Sequence, residues 1–99
     1  MKQPRSIAIS PSGDSVYVAN SNDSTVSVID TSSNNVTANI TVGSGPSSIA
    51  ISPSGDSVYV ANYDVDTISI IDPAKNKVVA GVTFDLIPFR GGHIVSSYR

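Results

Sequence analysis

The sequence predicts an all-β fold of two four-stranded antiparallel units in tandem. Three observations carry that expectation. The run "SIAISPSGDSVYVAN" at Ser6–Asn20 returns unchanged at Ser48–Asn62, 42 positions later. Short stretches rich in Val, Ile and Tyr alternate with clusters of Gly, Pro, Ser, Asn and Asp, which is how strands and turns are punctuated. No segment repeats its apolar residues with the 3.6-residue period of a helix.

Within the first unit, "SIAIS" is a short apolar strand and "PSGD" a turn in which Pro11 presets one dihedral and Gly13 can take a positive φ. "SVYVAN" is a second strand, "SNDS" breaks it, and "TVSVID" is a third. "TSSNN" turns the chain again. "VTANITV" then alternates Val36, Ala38, Ile40 and Val42 with Thr37, Asn39 and Thr41, predicting an outer strand with its polar face toward water. The second strand carries apolar residues on both faces, Val16 and Val18 opposite Tyr17 and Ala19, and is expected to be covered on both sides. The expected division is a first unit at 1–47, with strands near 6–10, 15–20, 25–30 and 36–42, and a second at 48–84, with strands near 48–52, 57–62, 67–72 and 77–84. Residues 85–99 form a divergent tail.

The 42-residue register extends beyond the identical run. Thr25, Ser27, Ile29 and Asp30 meet Thr67, Ser69, Ile71 and Asp72, and Pro4, Pro46 and Pro88 keep the same spacing. A period of this length falls in the range of four-stranded propeller blades. The chain is thus read as two blades of an incomplete propeller, with the tail either starting a third inner strand, as the Pro88 phase favours, or forming a hairpin across Arg90–Gly92.

Composition narrows the function classes. The net charge is −2, Glu and Cys are absent, and the Lys and Arg residues sit near the two ends. No basic stripe is available to neutralise phosphates, so no nucleic-acid partner is expected. No run approaches the ~18 apolar residues of a membrane-spanning helix, and the start, "MKQPRSIAISPSGD", lacks the apolar stretch of a signal peptide. Without Cys there are no disulfides and no thiolate chemistry.

The strings "VYVAN", "TVSVID", "NNVTANITVG" and "PSSIAISPSGD" together resemble the YVTN-type β-propeller repeat, over roughly Pro4 to Phe84. That resemblance implies a surface-layer or other cell-envelope protein, hence an extracellular or envelope location. It differs from the family in blade number and in "FRGGHI", which stands where "SSIAIS" is expected.

Two blades do not close a ring, since closure takes about four to eight. Three outcomes stay open: a segment of a longer propeller, a subunit of a self-assembling ring, or a free-standing two-sheet sandwich. In each the outer faces are expected to be apolar and without a charged cap.

The candidate sites are modest. Asn22, Asn35 and Asn39 begin N-glycosylation patterns on predicted surface, against a background in which Asn, Ser and Thr are abundant. The loops after the second and sixth strands, with Gly43–Ser47, form a rim where Asn20, Asp23, Asn62, Tyr63, Asp64 and Asp66 are candidate contacts. Tyr63 stands out because aromatic side chains anchor interfaces. The Asp spacing in these loops suits solvated turns better than calcium. Asp14, Asp56, Asp30 and Asp72 read as turn-forming residues. His93 is the single histidine and has no nucleophile beside it in a recognisable motif.

The expected function is therefore a non-catalytic structural or binding module with a protein partner and no cofactor or metal. It would act by blade stacking and by contacts at the loop rim. The alternatives are a piece of a lactonase- or reductase-like propeller enzyme that lacks its active site, and a subunit whose role is ring assembly.

Overall fold

The turn residues divide the chain into eight strands, seen in a computed structural model that describes residues 3–84. Strands β1 (Pro4–Ile9), β2 (Ser15–Asn20), β3 (Thr25–Asp30) and β4 (Asn35–Thr41) form one antiparallel sheet. Strands β5 (Pro46–Ile51), β6 (Val58–Asn62), β7 (Thr67–Asp72) and β8 (Lys77–Thr83) form the second. Each sheet is a meander whose sequence neighbours are hydrogen-bonded neighbours, and no strand of one repeat enters the other's sheet. The helical content among the described residues is one 3₁₀ turn, Tyr63–Val65, in the β6–β7 loop. The tail 85–99, with its proposed strand or hairpin and His93, lies outside the described residues.

The first strand of each sheet begins earlier than the apolar pattern indicates. Pro4 pairs with Asn20 and Pro46 with Asn62, across a register shift that precedes Ser6 and Ser48. A proline is tolerated there because it opens the strand at the sheet edge and need not donate to the ladder. The β1–β2 and β5–β6 turns take the expected form, with Gly13 and Gly55 both at φ +81°. Serine hydroxyls supply side-chain acceptors in these turns. Asp14 and Asp56 contribute their backbone N–H groups, which donate to the hydroxyls of Ser12 and Ser54, each at 3.3 Å. A hydroxyl two residues back reaches that N–H as readily as a carboxylate would.

The core is a seam between the sheets. In the first, Tyr17 pairs with Val28 and Ala19 with Val26, and these continue to Ala38 and Ile40 on β4. Tyr17, Val26, Val28 and Ile40 pack with Val58, Val60 and Ile71 of the second sheet. Val26, Val58, Val60 and Ile71 are fully buried, and each such side chain stabilises the fold by about 1.5–3 kcal/mol relative to exposure.

The regular alternation read along β4 does not survive. Val28 pairs with Ala38 but Ile29 pairs with Val36, so Thr37 is an extra residue in a bulge. The bulge moves Val36 to the opposite face from Ala38 and Ile40, and leaves it 55% exposed. The Thr37 hydroxyl donates to the Val28 carbonyl at 3.3 Å, tying the bulge to the neighbouring strand. Strand β8 repeats the shift at Ile70–Ile71.

The two sheets meet through unlike faces. The first presents the side that carries Tyr17, while the second presents the side that carries Val58 and Ile71, not Tyr59. Tyr59, 42 residues after Tyr17, points away from the seam and is 42% exposed. Ile7 and Ile9, which correspond to Ile49 and Ile51, also point away and are 65% and 63% exposed. Beta-strand 2 is thus covered on its Tyr17 side, and only half-buried at Val16 and Val18.

Candidate functional site

Strand direction brings the start of β1, the β2–β3 loop and the end of β4 to one end of the first sheet, with the β4–β5 connection beside the β6–β7 loop. That connection is bonded to the loop of the second sheet. The Tyr63 N–H donates to the Gly45 carbonyl at 2.9 Å, and the Asp64 N–H to the Ser44 carbonyl at 3.3 Å. Gly45 holds a positive φ of +69°, and a Cβ built on it would come within 2.6 Å of the Asp64 carboxylate. The position therefore serves both a left-handed backbone and a close approach.

These bonds hold the loop over a cleft of about 420 Å³ between the two sheets, lined by Arg5, Ser21, Gly45, Ser47, Tyr63 and Asp64. Tyr63 is 77% exposed, carried by the 3₁₀ turn that ends at Asp66 in the left-handed region, φ +50°. In the first repeat Ser21 occupies the corresponding place. The cleft offers guanidinium donors, a carboxylate acceptor and one aromatic ring. That set is suited to gripping a polar surface with an apolar anchor.

Of the rim residues expected from sequence, Tyr63 and Asp64 border the cleft, while Asp23 and Asp66 are exposed on the same loops without lining it. The Asp23 carboxylate accepts from the Thr25 hydroxyl at 3.3 Å, and the Asp66 carbonyl accepts from the Phe84 N–H at 3.0 Å. Asn20 and Asn62 are corrected outright: they are 3% and 1% exposed and are no rim contacts. Each turns its amide inward. Asn20 Nδ2 donates to Thr25 Oγ1 and Ser27 Oγ at 3.1 and 2.9 Å, and Asn62 repeats this with Thr67 and Ser69 at 3.0 and 2.9 Å. A polar residue ending a buried strand must find partners inside, and the hydroxyls on the adjacent strand supply them.

Arg5 escaped the sequence reading. The available signal was its register: it stands 42 residues before Ser47, inside the Gly43–Ser47 rim segment, next to the matching proline.

The asparagines of the three glycosylation patterns are exposed. Asn22 sits in the β2–β3 turn, Asn35 opens β4, and Asn39 lies within β4 with its Oδ1 accepting from Ser27 Oγ at 2.7 Å. At the opposite end of the sheets, Asp30 accepts from the Ser32 and Ser33 hydroxyls, at 3.0 and 3.2 Å from Oδ2, and from the Ser32 N–H at 3.3 Å. These bonds favour the carboxylate and lower its pKa, those from Ser32 most. Asp72 accepts from the Ala74 N–H at 2.9 Å. Both are turn residues, as the sequence indicates. No helix among the described residues is long and apolar enough to cross a membrane.

Two meandering four-stranded sheets stacked face to face, with a loop rim at one end, define two blades of an incomplete β-propeller. The chain belongs to the YNCE-like beta-propeller family, whose sequence model matches residues 1–92. No curated protein matches the sequence significantly. Among solved structures, hydrazine synthase from Kuenenia stuttgartiensis superposes with a TM-score of 0.82 at 25% identity, over 84% of this chain and 24% of that one. The WD40 repeats of RRP9 superpose with a TM-score of 0.74 at 14% identity, over 81% and 26%. Apo AztD from Citrobacter koseri superposes with a TM-score of 0.70 at 16% identity, over 81% and 23%. The chain thus spans about a quarter of each of these structures.

Proposed function

We propose that the chain is a non-catalytic contact module of a propeller. It acts by stacking its blades through their apolar faces and by presenting the rim cleft to a protein partner. The observation that carries the rim reading is Tyr63, 77% exposed yet held in place by the backbone bond to Gly45. An exposed aromatic beside an arginine is the usual composition of an interface anchor, and a backbone already fixed at Tyr63 leaves less chain to order on docking. The absence of Glu and Cys from the whole chain, and its single His, support a module without acid–base or nucleophilic catalysis of its own. The YVTN-like strings support a protein of the cell surface or envelope, where the exposed Asn22 turn would accept a glycan.

The test replaces Tyr63 in the native full-length protein with a photo-crosslinking phenylalanine analogue, and makes the same replacement at Thr37 as a control. The expected result is one recurrent protein adduct from position 63 that is lost on Arg5→Ala. Equal labelling from both positions, or none from 63, rejects the rim reading.

A further inference from the structure

We propose that the groove between the β1–β2 and β5–β6 turns, at the end of the sheets opposite the rim cleft, binds one unit of a polyhydroxylated compound, a sugar. The site is separate from the rim and does not depend on its reading.

The two turns are the same string, Ser10–Asp14 and Ser52–Asp56. They touch where the Pro11 ring meets Gly55, so that a Cβ on Gly55 would sit 3.4 Å from Pro11 Cδ. Beside this contact lies a groove of about 280 Å³. Its floor is Tyr17 and Val58, 3% and 0% exposed, and its walls are the more exposed Pro11, Ser12, Asp14 and Ser54 of the turns. All of its lining residues fall between 10 and 73, so it needs no further blade.

Tyr17 is the group that asks for a ligand. Its side chain is enclosed in the seam, yet its hydroxyl bonds to no group among the described residues. Buried phenols seldom go without a partner. Lining the groove, Tyr17 takes that partner from whatever fills it. Burial raises its pKa, which keeps the hydroxyl a donor.

The surrounding groups add to it. Ser10 and Ser12 both line the groove, and each oxygen already accepts a backbone N–H, from Ser15 at 3.1 Å and from Asp14 at 3.3 Å. The two oxygens lie 3.3 Å apart, so one hydroxyl proton bridges them and the other is left over to donate. The Asp14 carboxylate accepts no hydrogen bond among the described residues, and it is the one charged group on the lining. Two donors and an anionic acceptor therefore face one small space.

The chemistry of the occupant follows. The Asp14 carboxylate repels an anion. Water would satisfy the hydroxyls but leave bare the apolar flank of Pro11, Ile51 and Pro73. Neighbouring hydroxyls on a ring answer both needs. They donate to Asp14, accept from Tyr17 and the serine, and leave a C–H face for the proline rings. The volume sits at the lower end of the ~300–1,000 Å³ of ligand sites, which suits one ring rather than a chain.

The test titrates isotope-labelled native full-length protein with glucose, galactose and mannose, each as the free sugar and as its methyl glycoside. The amide resonances of Gly13 and Gly55 report binding. The expected result is a saturable shift of both amides with at least one sugar. Binding of the methyl glycoside marks a glycan end as the source, and binding of the free sugar alone marks a monosaccharide. Tyr17→Phe is expected to weaken the affinity about two- to tenfold, and Asp14→Ala about ten- to a hundredfold. Asp56→Ala, at the matching position outside the lining, is expected to leave it unchanged at Gly13. Should Tyr17→Phe fail to fold, Asp14→Ala, on an exposed side chain, carries the same test. The absence of a saturable shift with any of these sugars overturns the proposal, as does wild-type affinity in Asp14→Ala or in folded Tyr17→Phe. Saturation by methylammonium and not by sugars also overturns it. None of these outcomes alters the crosslinking result at Tyr63, so the two readings fail separately.

Discussion

Asn20 Nδ2 donates to Ser27 Oγ at 2.9 Å, and Ser27 Oγ donates onward to Asn39 Oδ1 at 2.7 Å, linking three strands of the first sheet. Asn20 and Ser27 are both buried, so the bond has no water to replace it. Asn20→Ala is expected to destabilise the chain by about 1–3 kcal/mol, the cost of removing a buried donor from the Ser27 hydroxyl oxygen, which keeps only its bond to Asn39. Urea unfolding, with an unchanged m-value, measures it.

The second sheet lacks the last link. Gly81 stands where Asn39 stands in the first sheet, paired with Ser69, and Asn62 Oδ1 is buried without a partner among the described residues. A Cβ at Gly81 would meet only the Ile68 carbonyl, at an ordinary 3.7 Å. Gly81→Asn is expected to restore the relay to Ser69 and remove a strand glycine. The expected gain is about 1 kcal/mol, read as a rise in melting temperature of about 4–8 °C.

Gly45 separates two effects that a substitution usually mixes. Gly45→Ala is expected to cost more than Gly13→Ala, although both residues have positive φ, +69° and +81°. Gly13 has open space around its Cβ position, so alanine there costs about 1–2 kcal/mol of left-handed strain alone. At Gly45 the added methyl also displaces the Asp64 carboxylate. Asp64→Ala is expected to recover that second part in a double-mutant cycle of chemical denaturation.

Burial raises the pKa of Tyr17 by disfavouring the phenolate in the folded chain. Below the ordinary tyrosine pKa of about 10 both states keep the proton and folding loses nothing. As pH rises from there toward the folded value, only the unfolded chain ionises, and stability falls. Tyr17→Phe is expected to flatten this alkaline loss relative to wild type, in melting temperatures measured from pH 8 to 11.

Much of this was legible from the chain. The strand order, the turns with Gly13 and Gly55, and the turn-forming role of Asp30 follow from residue types whose preferences act over a few neighbours. What escaped was set by partners distant in sequence. The bulge at Thr37 reverses Val36 because β3 dictates the pairing. Asn20 and Asn62 read in the sequence as rim contacts at the ends of their strands, and are buried because hydroxyls on the next strand accept their amides. Arg5 joins the rim because a second blade places Tyr63 and Asp64 across from it.

The repeat and its alternation thus determined by themselves that the chain builds two like sheets, since backbone preference and face polarity are local properties. Only the tertiary structure decided which faces meet. Both sides of each sheet are apolar, so hydrophobicity alone does not choose between them; the packed structure sets Tyr17 and Val58 in the seam and leaves Tyr59 and Ile9 exposed.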